Sequence, residues 1–173
     1  MKITLEKINL NDKNILTDLL QLYPHEVVDL DKYFENDNYF PYFVKMQEEV
    51  VGFVLANIED DNSCCNLSAI FIKNEYRRQG IGKKAMFQLF KYIVGKWAIQ
   101  PITNPESVTL FFENVIREYT KKAYMKITAK GVDDILFILN TDKRIIKKYL
   151  KDLERLMPAT EKPTGENHGE TQK

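Results

Sequence analysis

At 173 residues the chain has the length of a single domain and can bury a sizeable core. Its 25 basic and 25 acidic residues cancel. This balance argues against a general nucleic-acid partner or an anionic membrane surface, since both favour a basic excess. No apolar run approaches the roughly 20 residues that span a bilayer, and residues 1–7 lack a signal-peptide core. We therefore expect a cytosolic, cytoplasmic protein with no membrane partner.

The first third of the chain predicts one strand and two helices. Residues 2–8 alternate polar and apolar as a strand does. Asn11 or Asp12 can then cap a helix that ends at Pro24. Its predicted apolar face is Ile15, Leu16, Leu19, Leu20 and Tyr23. A short second helix follows, with Val27, Val28, Leu30, Tyr33 and Phe34.

This second helical segment is acidic, and the acids are Glu26, Asp29, Asp31, Glu35 and Asp37. A solvated helix face is the simpler interpretation. The functional interpretation is an electronegative rim that attracts a cationic amine. Both interpretations stay open.

Two further strands, 39–45 and 50–58, form a hairpin around residues 46–49. The second of them is nearly continuous in apolar residues and should be central in its sheet. Residues 59–62 make the next turn, and a fourth strand covers 67–72. Cys64 and Cys65, the only cysteines, are adjacent. A bridge between neighbours is strained, and a metal site needs more ligands, so we expect two reduced thiols and no metal.

A glycine-containing basic loop, Arg77-Arg78-Gln79-Gly80-Ile81-Gly82 followed by Lys83 and Lys84, comes directly after the fourth strand. The apolar spacing after it predicts a helix. Unpaired amides and the macrodipole favour an anion at a helix start. A solvated basic turn is the alternative. Four cations at this helix end are easiest to understand if a multiply charged anion binds there.

The sequence of the C-terminal half predicts one strand, a helix, a hairpin and a last helix. Gly95 is a predicted helix C-cap, residues 97–103 a fifth strand, and Asn104 with Pro105 a helix start. Strands 124–129 and 135–139 form a hairpin through residues 130–134. Thr141 is the predicted cap of a last helix, whose apolar stripe from Ile145 to Leu156 needs a partner surface, in this chain or in a homodimer. Residues 158–173 have almost no apolar content and predict a disordered tail.

The loop Arg77-x-x-Gly80-x-Gly82 after an apolar strand resembles motif A of the GCN5-related N-acetyltransferase (GNAT) family. Asn104-Pro105-Glu106-Ser107, continuing to Phe111, resembles a second family motif. Together with Gly95-Lys96-Trp97, these segments are similar to a predicted bacterial branch of the family. The resemblance implies the α/β GNAT fold, a mixed and mostly antiparallel sheet flanked by helices. It also implies one domain, 1–157, with an extra C-terminal helix.

The resemblance implies acetyl-CoA as co-substrate. Its diphosphate would lie on the backbone of the loop, and its pantetheine arm would pair with the main chain of the fourth strand. The residues at the matching positions are Phe71, Ile72, Arg77, Arg78, Gln79, Gly80, Ile81, Gly82, Lys83, Lys84, Asn104, Ser107 and Phe111.

Two family features are missing. Many members carry a tyrosine at the position of Phe111, where it protonates the departing thiolate, and phenylalanine cannot donate a proton. Members often carry a glutamate base on the fourth strand, where Ser68 and Ala69 stand here. The candidates left for proton transfer are Glu26, Asp29 and Tyr124, together with His25 and Tyr76.

The predicted function is transfer of the acetyl group from acetyl-CoA to a primary amine of a small cationic molecule, by direct attack in a ternary complex. A protein lysine or N-terminus is the next acceptor class. A non-catalytic acyl-CoA-binding or regulatory module and a nucleotide-binding protein are the rival interpretations. The sequence leaves the acceptor, the general acid and base and the oligomeric state open.

Overall fold

The computed structural model describes residues 2–25, 29–58, 64–101, 106–128 and 135–156. Seven strands form one sheet in the order β1-β2-β3-β4-β5-β7-β6. The strands are β1 (Ile3–Lys7), β2 (Tyr39–Met46), β3 (Glu49–Ile58), β4 (Cys65–Ile72), β5 (Lys96–Ile99), β6 (Tyr124–Thr128) and β7 (Ile135–Asn140). All neighbouring pairs are antiparallel except β4 and β5. The predicted mixed, mostly antiparallel sheet is confirmed.

Five helices flank the sheet: α1 (Lys13–Leu20), α2 (Lys32–Glu35), α3 (Ile81–Tyr92), α4 (Glu106–Thr120) and α5 (Lys143–Leu156). The predicted order of strands and helices is therefore confirmed over the described residues. None of the described helices is long and apolar enough to cross a membrane.

Two cores lie on opposite faces of the sheet. On one face, α3 and α4 bury their apolar stripes against β1, β3 and β7, around the fully buried Trp97 and Phe90. On the other face, α1 and α2 cover a smaller aromatic core that contains Phe53 and Phe71. β3 contributes to both cores, as its continuous apolar sequence predicts. The helices therefore form two separate layers, one on each face of the sheet, with β4 in the sheet between them.

Several local predictions are wrong. Ile15 is exposed, so the buried face of α1 is narrower than its spacing suggests. Gly95 is not a C-cap, because α3 ends at Tyr92 with Ile93 in an extended conformation. Thr141 does not cap α5: its hydroxyl accepts a hydrogen bond from the amide of Gly95, at 3.0 Å. Asp142 caps α5 instead, where its carboxylate accepts from the Arg144 amide at 2.8 Å.

β5 ends at Ile99, short of the predicted end at residue 103, because its pairing with β7 stops there. On α5 only Ile146 is buried among the described side chains, and Ile145, Tyr149 and Leu153 are exposed. Both cysteines are buried, and neither forms a disulfide. The predicted turn at 59–62, the hairpin loop at 130–134 and the tail at 158–173 lie outside the described residues.

Candidate active site

The start of α3 is an open helix N-terminus. Gly80 is the N-cap residue, with a left-handed φ of 74°, and its position makes no side-chain capping hydrogen bond in the described structure. The first intrahelical hydrogen bond runs from the amide of Lys84 to the carbonyl of Gly80, at 3.1 Å. The amides of Ile81, Gly82 and Lys83 precede that bond, so an anion can accept from them.

The loop before α3 contains two residues with a positive φ. Arg78 has a φ of 62°, and Gly80 follows it with a second positive φ. Alternation of left-handed and right-handed residues turns successive amides inward and makes a nest for an anion. A Cβ on Gly80 would have no atom within 4 Å. Backbone conformation, not crowding, therefore calls for glycine there.

Three cations of the loop differ in how they are held. The Lys83 ammonium forms an ion pair with Glu118 of α4, at 3.0 Å. The Arg77 side chain donates through Nε to the carbonyl of Ile72 at 2.7 Å, and its guanidinium lies 5.5 Å from the Phe71 ring centre. Arg78 lines the same cavity. Positive charge and open amides together fit a diphosphate.

The sheet opens between β4 and β5. These strands pair only at Cys65 with Trp97 and at Asn66 with Ala98. Beyond that point they diverge, and a cavity of about 1040 Å³ occupies the opening. All residues from 67 to 72 of β4 line it, so the cavity is exposed to both faces of that strand. A ligand arm lying along β4 can therefore be reached from either side of the sheet.

A β-bulge shapes β4 in the middle of the opening. Leu55 pairs with Ala69 and Ala56 with Leu67, which leaves Ser68 as the extra residue. Bulges re-aim backbone groups and often occur beside active sites. The Ser68 hydroxyl donates to Asn57 Oδ1 at 3.0 Å.

Ser68 is also hydrogen-bonded to the buried Tyr33 hydroxyl. Burial raises the pKa of Tyr33 to about 12, and the hydrogen bond with Ser68 moderates that rise. The bulge is therefore held by a neutral network, at the position where a carboxylate was missing from the sequence motif.

The end of the cavity on the α1 and α2 face is lined by Tyr23, Pro24 and His25, which follow α1. The Tyr23 ring packs edge-on against Phe53 at 5.6 Å and Phe71 at 6.1 Å. The His25 ring meets Tyr23 edge-on at 5.3 Å. Desolvation raises the pKa of Tyr23. Tyr23 thus anchors the segment that presents His25 to the cavity.

The opposite wall of the cavity comes from α4. Val108, Phe111, Phe112 and Asn114 line it, and Phe112 also belongs to the core. A Cβ on Gly82 would lie 3.2 Å from Cζ of Phe111. The Phe111 ring edge therefore packs on the start of α3, and Gly82 is needed for that close approach.

The structure places ten of the predicted site residues along the cavity: Phe71, Ile72, Arg77, Arg78, Gly80, Ile81, Gly82, Lys83, Ser107 and Phe111. Gln79 and Lys84 do not line it, and the Gln79 side chain donates to the carbonyl of Glu75 at 3.2 Å. Asn104 and Glu26 lie outside the described residues.

Four of the candidates for proton transfer are described: His25 and Tyr76 line the cavity, whereas Asp29 and Tyr124 do not. Asp29 forms an ion pair with Lys32, at 2.9 Å. The Tyr124 hydroxyl donates to Glu113 at 3.1 Å, and that carboxylate also binds Lys126 at 2.7 Å. Hydrogen bonding to Lys126 is the main cause that lowers the pKa of Glu113. Asp29 and Tyr124 thus belong to surface networks.

Sequence reasoning did not place Tyr23, Gln100 or Asn114 at the site, although all three line the cavity. Tyr23 carried only the signal of an apolar helix face. Gln100 and Asn114 carried no sequence signal, because a single amide side chain does not form a recognisable motif with its neighbours.

The model of the acetyltransferase (GNAT) family matches residues 12–111. The search of curated proteins found no match.

Solved structures share the fold at low identity. An acetyltransferase from Thermus thermophilus aligns with a TM-score of 0.64 at 14% identity, over 81% of this chain and 97% of that one. A Bacillus anthracis protein assigned as a streptothricin acetyltransferase was solved with acetyl coenzyme A. It aligns with a TM-score of 0.56 at 13% identity, over 81% of this chain and 99% of that one. The Escherichia coli ribosomal-protein-S18-alanine N-acetyltransferase aligns with a TM-score of 0.56 at 15% identity, over 81% of this chain and 94% of that one.

The family match covers more than half of the chain, and its motif coincides with the open helix end at the diverging strands. The resemblance noted from the sequence is confirmed, and so is acetyl-CoA as the co-substrate. The chain belongs to the GNAT family of acetyl-CoA-dependent acetyltransferases.

Proposed function

We propose that this enzyme transfers the acetyl group to a primary amine of a small cationic molecule. The observation that carries the proposal is the cavity between β4 and β5, which joins the open end of α3 on one face of the sheet to His25 on the other. Two substrates can then meet at β4 from opposite sides. We also propose that residues 1–157 form the catalytic domain.

In this proposal the diphosphate of acetyl-CoA accepts hydrogen bonds from the amides between Gly80 and Lys83. Arg78 and Lys83 add charge. The pantetheine arm lies along the main chain of β4, where Phe71 and Ile72 stand. Arg77 donates to the Ile72 carbonyl in the present conformation, so its side chain has to yield that carbonyl to the arm. Ser107 and Phe111 form the α4 side of the same arm.

The chemical step follows from positioning. Main-chain amides at the Ser68 bulge would polarise the thioester carbonyl, as an oxyanion hole does. The amine nitrogen bonds to the carbonyl carbon, the carbon–sulfur bond breaks, and its electron pair goes to the CoA sulfur. A thiolate is a fair leaving group, so catalysis can proceed with solvent as its proton donor. Holding the two reactants together supplies much of the rate.

The acidic segment around α2 gives partial support to a cationic acceptor. Asp31 binds Lys13 and Asp29 binds Lys32, so those two charges are partly neutralised. Glu35 and Asp37 are exposed, and they can still attract a cation. The E. coli neighbour is named for a protein alanine, which supports a protein N-terminus as the alternative acceptor.

A second candidate, a non-catalytic acyl-CoA-binding module, is favoured by two observations. Phe111 offers no proton to a leaving thiolate, and no Asp or Glu lines the cavity among the described residues. Such a module would bind acetyl-CoA and release no thiol with any acceptor.

The proposal is tested in two steps. Thermal unfolding with CoA, acetyl-CoA and ATP should show stabilisation by the first two only, because a ligand that binds the native state raises its stability. Thiol release from acetyl-CoA is then followed with an alkylamine, a polyamine, an aminoglycoside and a peptide with a free N-terminus. Turnover that is fastest on the small cationic amines supports the proposal. Binding without turnover on any acceptor favours the module, and protection by ATP alone overturns both.

A further inference from the structure

We propose that His25 is the catalytic base, which takes the proton from the acceptor ammonium before the amine attacks the thioester. This inference rests on the amine acetylation proposed above and names the residue that makes it possible at neutral pH.

The first support is the set of ionisable side chains that line the cavity: Tyr23, His25, Tyr76, Arg77, Arg78 and Lys83. Arginine and lysine side chains are ordinarily protonated at neutral pH and cannot accept a proton. Histidine is the side-chain type that changes charge in that range. Among the described residues, His25 is thus the cavity-lining group suited to take a proton and give it up again.

The two tyrosines are poor rivals. Burial raises the pKa of Tyr23, which keeps its hydroxyl protonated. The Tyr76 hydroxyl donates to Glu49 at 2.5 Å, and this hydrogen bond is the main cause that raises the pKa of Tyr76. Neither hydroxyl is available as a base near neutral pH.

The second support is the side of the sheet on which His25 lies. The open end of α3, with α4 beside it, belongs to one core, and Tyr23 packs into the other core against Phe53 and Phe71. Acetyl-CoA held on α3 reaches the opening from the first face. An amine that enters from the second face passes His25 before it reaches β4. Base and thioester therefore lie on opposite sides of the incoming nitrogen.

The third support is that the segment is held in place. The Tyr23 ring fixes Pro24 and His25 by its edge-on contacts, and the His25 ring lies 5.3 Å from it. The bulge residue Ser68 faces the same cavity and is held by Asn57 and Tyr33. A base on such a support keeps its orientation when the acceptor enters.

The proton balance is simple. Neutral imidazole takes one proton from R–NH₃⁺ and leaves R–NH₂ and an imidazolium. The amine nitrogen bonds to the acetyl carbon, the carbon–sulfur bond breaks, the second proton of the nitrogen passes to solvent, and solvent protonates the CoA thiolate. The imidazolium releases its proton to water. The products are the acetamide, CoA thiol and one solvent proton.

The test compares His25→Ala with wild type, using thiol release from acetyl-CoA and two acceptors. One is an alkylamine, charged at pH 7, and the other is a hydrazide, which is mostly uncharged there. Loss of a general base typically costs about 10²–10⁴-fold in rate. We expect that loss with the alkylamine, a loss below about tenfold with the hydrazide, and recovery of the alkylamine rate when free imidazole is added. A side chain that is only structural would affect both acceptors alike and would not be rescued.

A control variant separates the alternatives. His168→Gln removes the chain's other histidine. It should keep the wild-type rates, and His25→Ala should keep the wild-type thermal shift with CoA. Equal losses on the two acceptors, or no loss at all in an active enzyme, overturn the role of His25 alone. A wild-type enzyme that acetylates neither acceptor overturns the amine chemistry together with it.

Discussion

The two ends of the cavity are formed by different parts of the chain, one by backbone groups and the other by side chains. The end at the start of α3, where we propose that the diphosphate binds and which we call the phosphate end, is formed by backbone: a left-handed Gly80, the open amides of α3 and a glycine that lets Phe111 approach. The end where we propose that the acceptor enters, which we call the acceptor end, is formed by side chains: Tyr23 and His25 from the segment after α1 and Ser68 from β4. Backbone sites leave a local sequence pattern, because only certain residues allow the conformation. Sites made of side chains depend on long-range packing and therefore leave no such local sequence pattern.

The largest effect should come from Gly52, where β3 supports the phosphate end of β4. A Cβ there would lie 2.0 Å from the carbonyl oxygen of Phe71. Gly52→Ala must push β4 away, and we expect a loss of about 3 kcal/mol in unfolding free energy. Chemical denaturation measures it.

The matched control for that variant is Gly80→Ala. The Cβ that this variant adds would have no atom within 4 Å, so the substitution strains only a left-handed φ of 74°. We expect this strain to lower the unfolding free energy by about 1–2 kcal/mol. An equal loss in the two variants would contradict the assignment of crowding to Gly52.

A second prediction concerns the network beneath the acceptor end. The pKa of Tyr33 is raised to about 12 in the folded state, mainly by burial. Its contribution to stability is therefore complete below the unfolded value of about 10 and is lost as pH rises from there through the folded value. Wild type should lose about 2–3 kcal/mol of unfolding free energy over this window.

Tyr33→Phe should flatten that alkaline decline in denaturation curves measured from pH 8 to 12. Its affinity for CoA should stay unchanged, because Tyr33 lies at the other end from the phosphates. A lower affinity for CoA in this variant would break the distinction between the two ends.

A third prediction is that Arg78→Ala raises the KM for acetyl-CoA about tenfold while kcat changes little. A charged hydrogen bond is worth about 1.5–3 kcal/mol, less when exposed to solvent. Steady-state kinetics at low and high salt should show a smaller difference at high salt. Lys91→Ala, at the exposed opposite end of the same helix, should leave KM unchanged. A fall in kcat with unchanged KM would place Arg78 away from the phosphates.

The smallest effect is expected from Phe111→Tyr. The ring edge that would carry the hydroxyl packs against Gly82, at 3.2 Å from where a Cβ would stand. The new hydroxyl is thus directed to the helix end, and we expect less than about a threefold change in kcat. A gain of a hundredfold or more in thiol release would show that the enzyme lacks only a proton donor.

The sequence predicted the fold well, and it marked the loop that begins α3. Alternating and continuous apolar runs marked β2, β3 and β4, and two glycines marked the start of α3. It failed where one residue serves a distant partner. Thr141 looked like a helix cap and instead binds the Gly95 backbone, 46 positions away. Asp29 looked functional from local charge alone, and an ion pair with Lys32 engages its carboxylate.

The acceptor end was the hardest to predict. Tyr23 reaches the site because its ring packs edge-on against both Phe53 and Phe71, which no local pattern records. His25 was named among the candidates from its chemistry alone, and its position beside the cavity needed the fold. Asn104 and Glu26, outside the described residues, stay predictions.

The most direct test of a site with two such different ends is a crystal structure with CoA and a small amine. We expect the diphosphate on the amides between Gly80 and Lys83, the thiol in the opening between β4 and β5, and the amine between that thiol and His25. A diphosphate bound elsewhere, or an amine that enters on the α3 face away from His25, would contradict this arrangement.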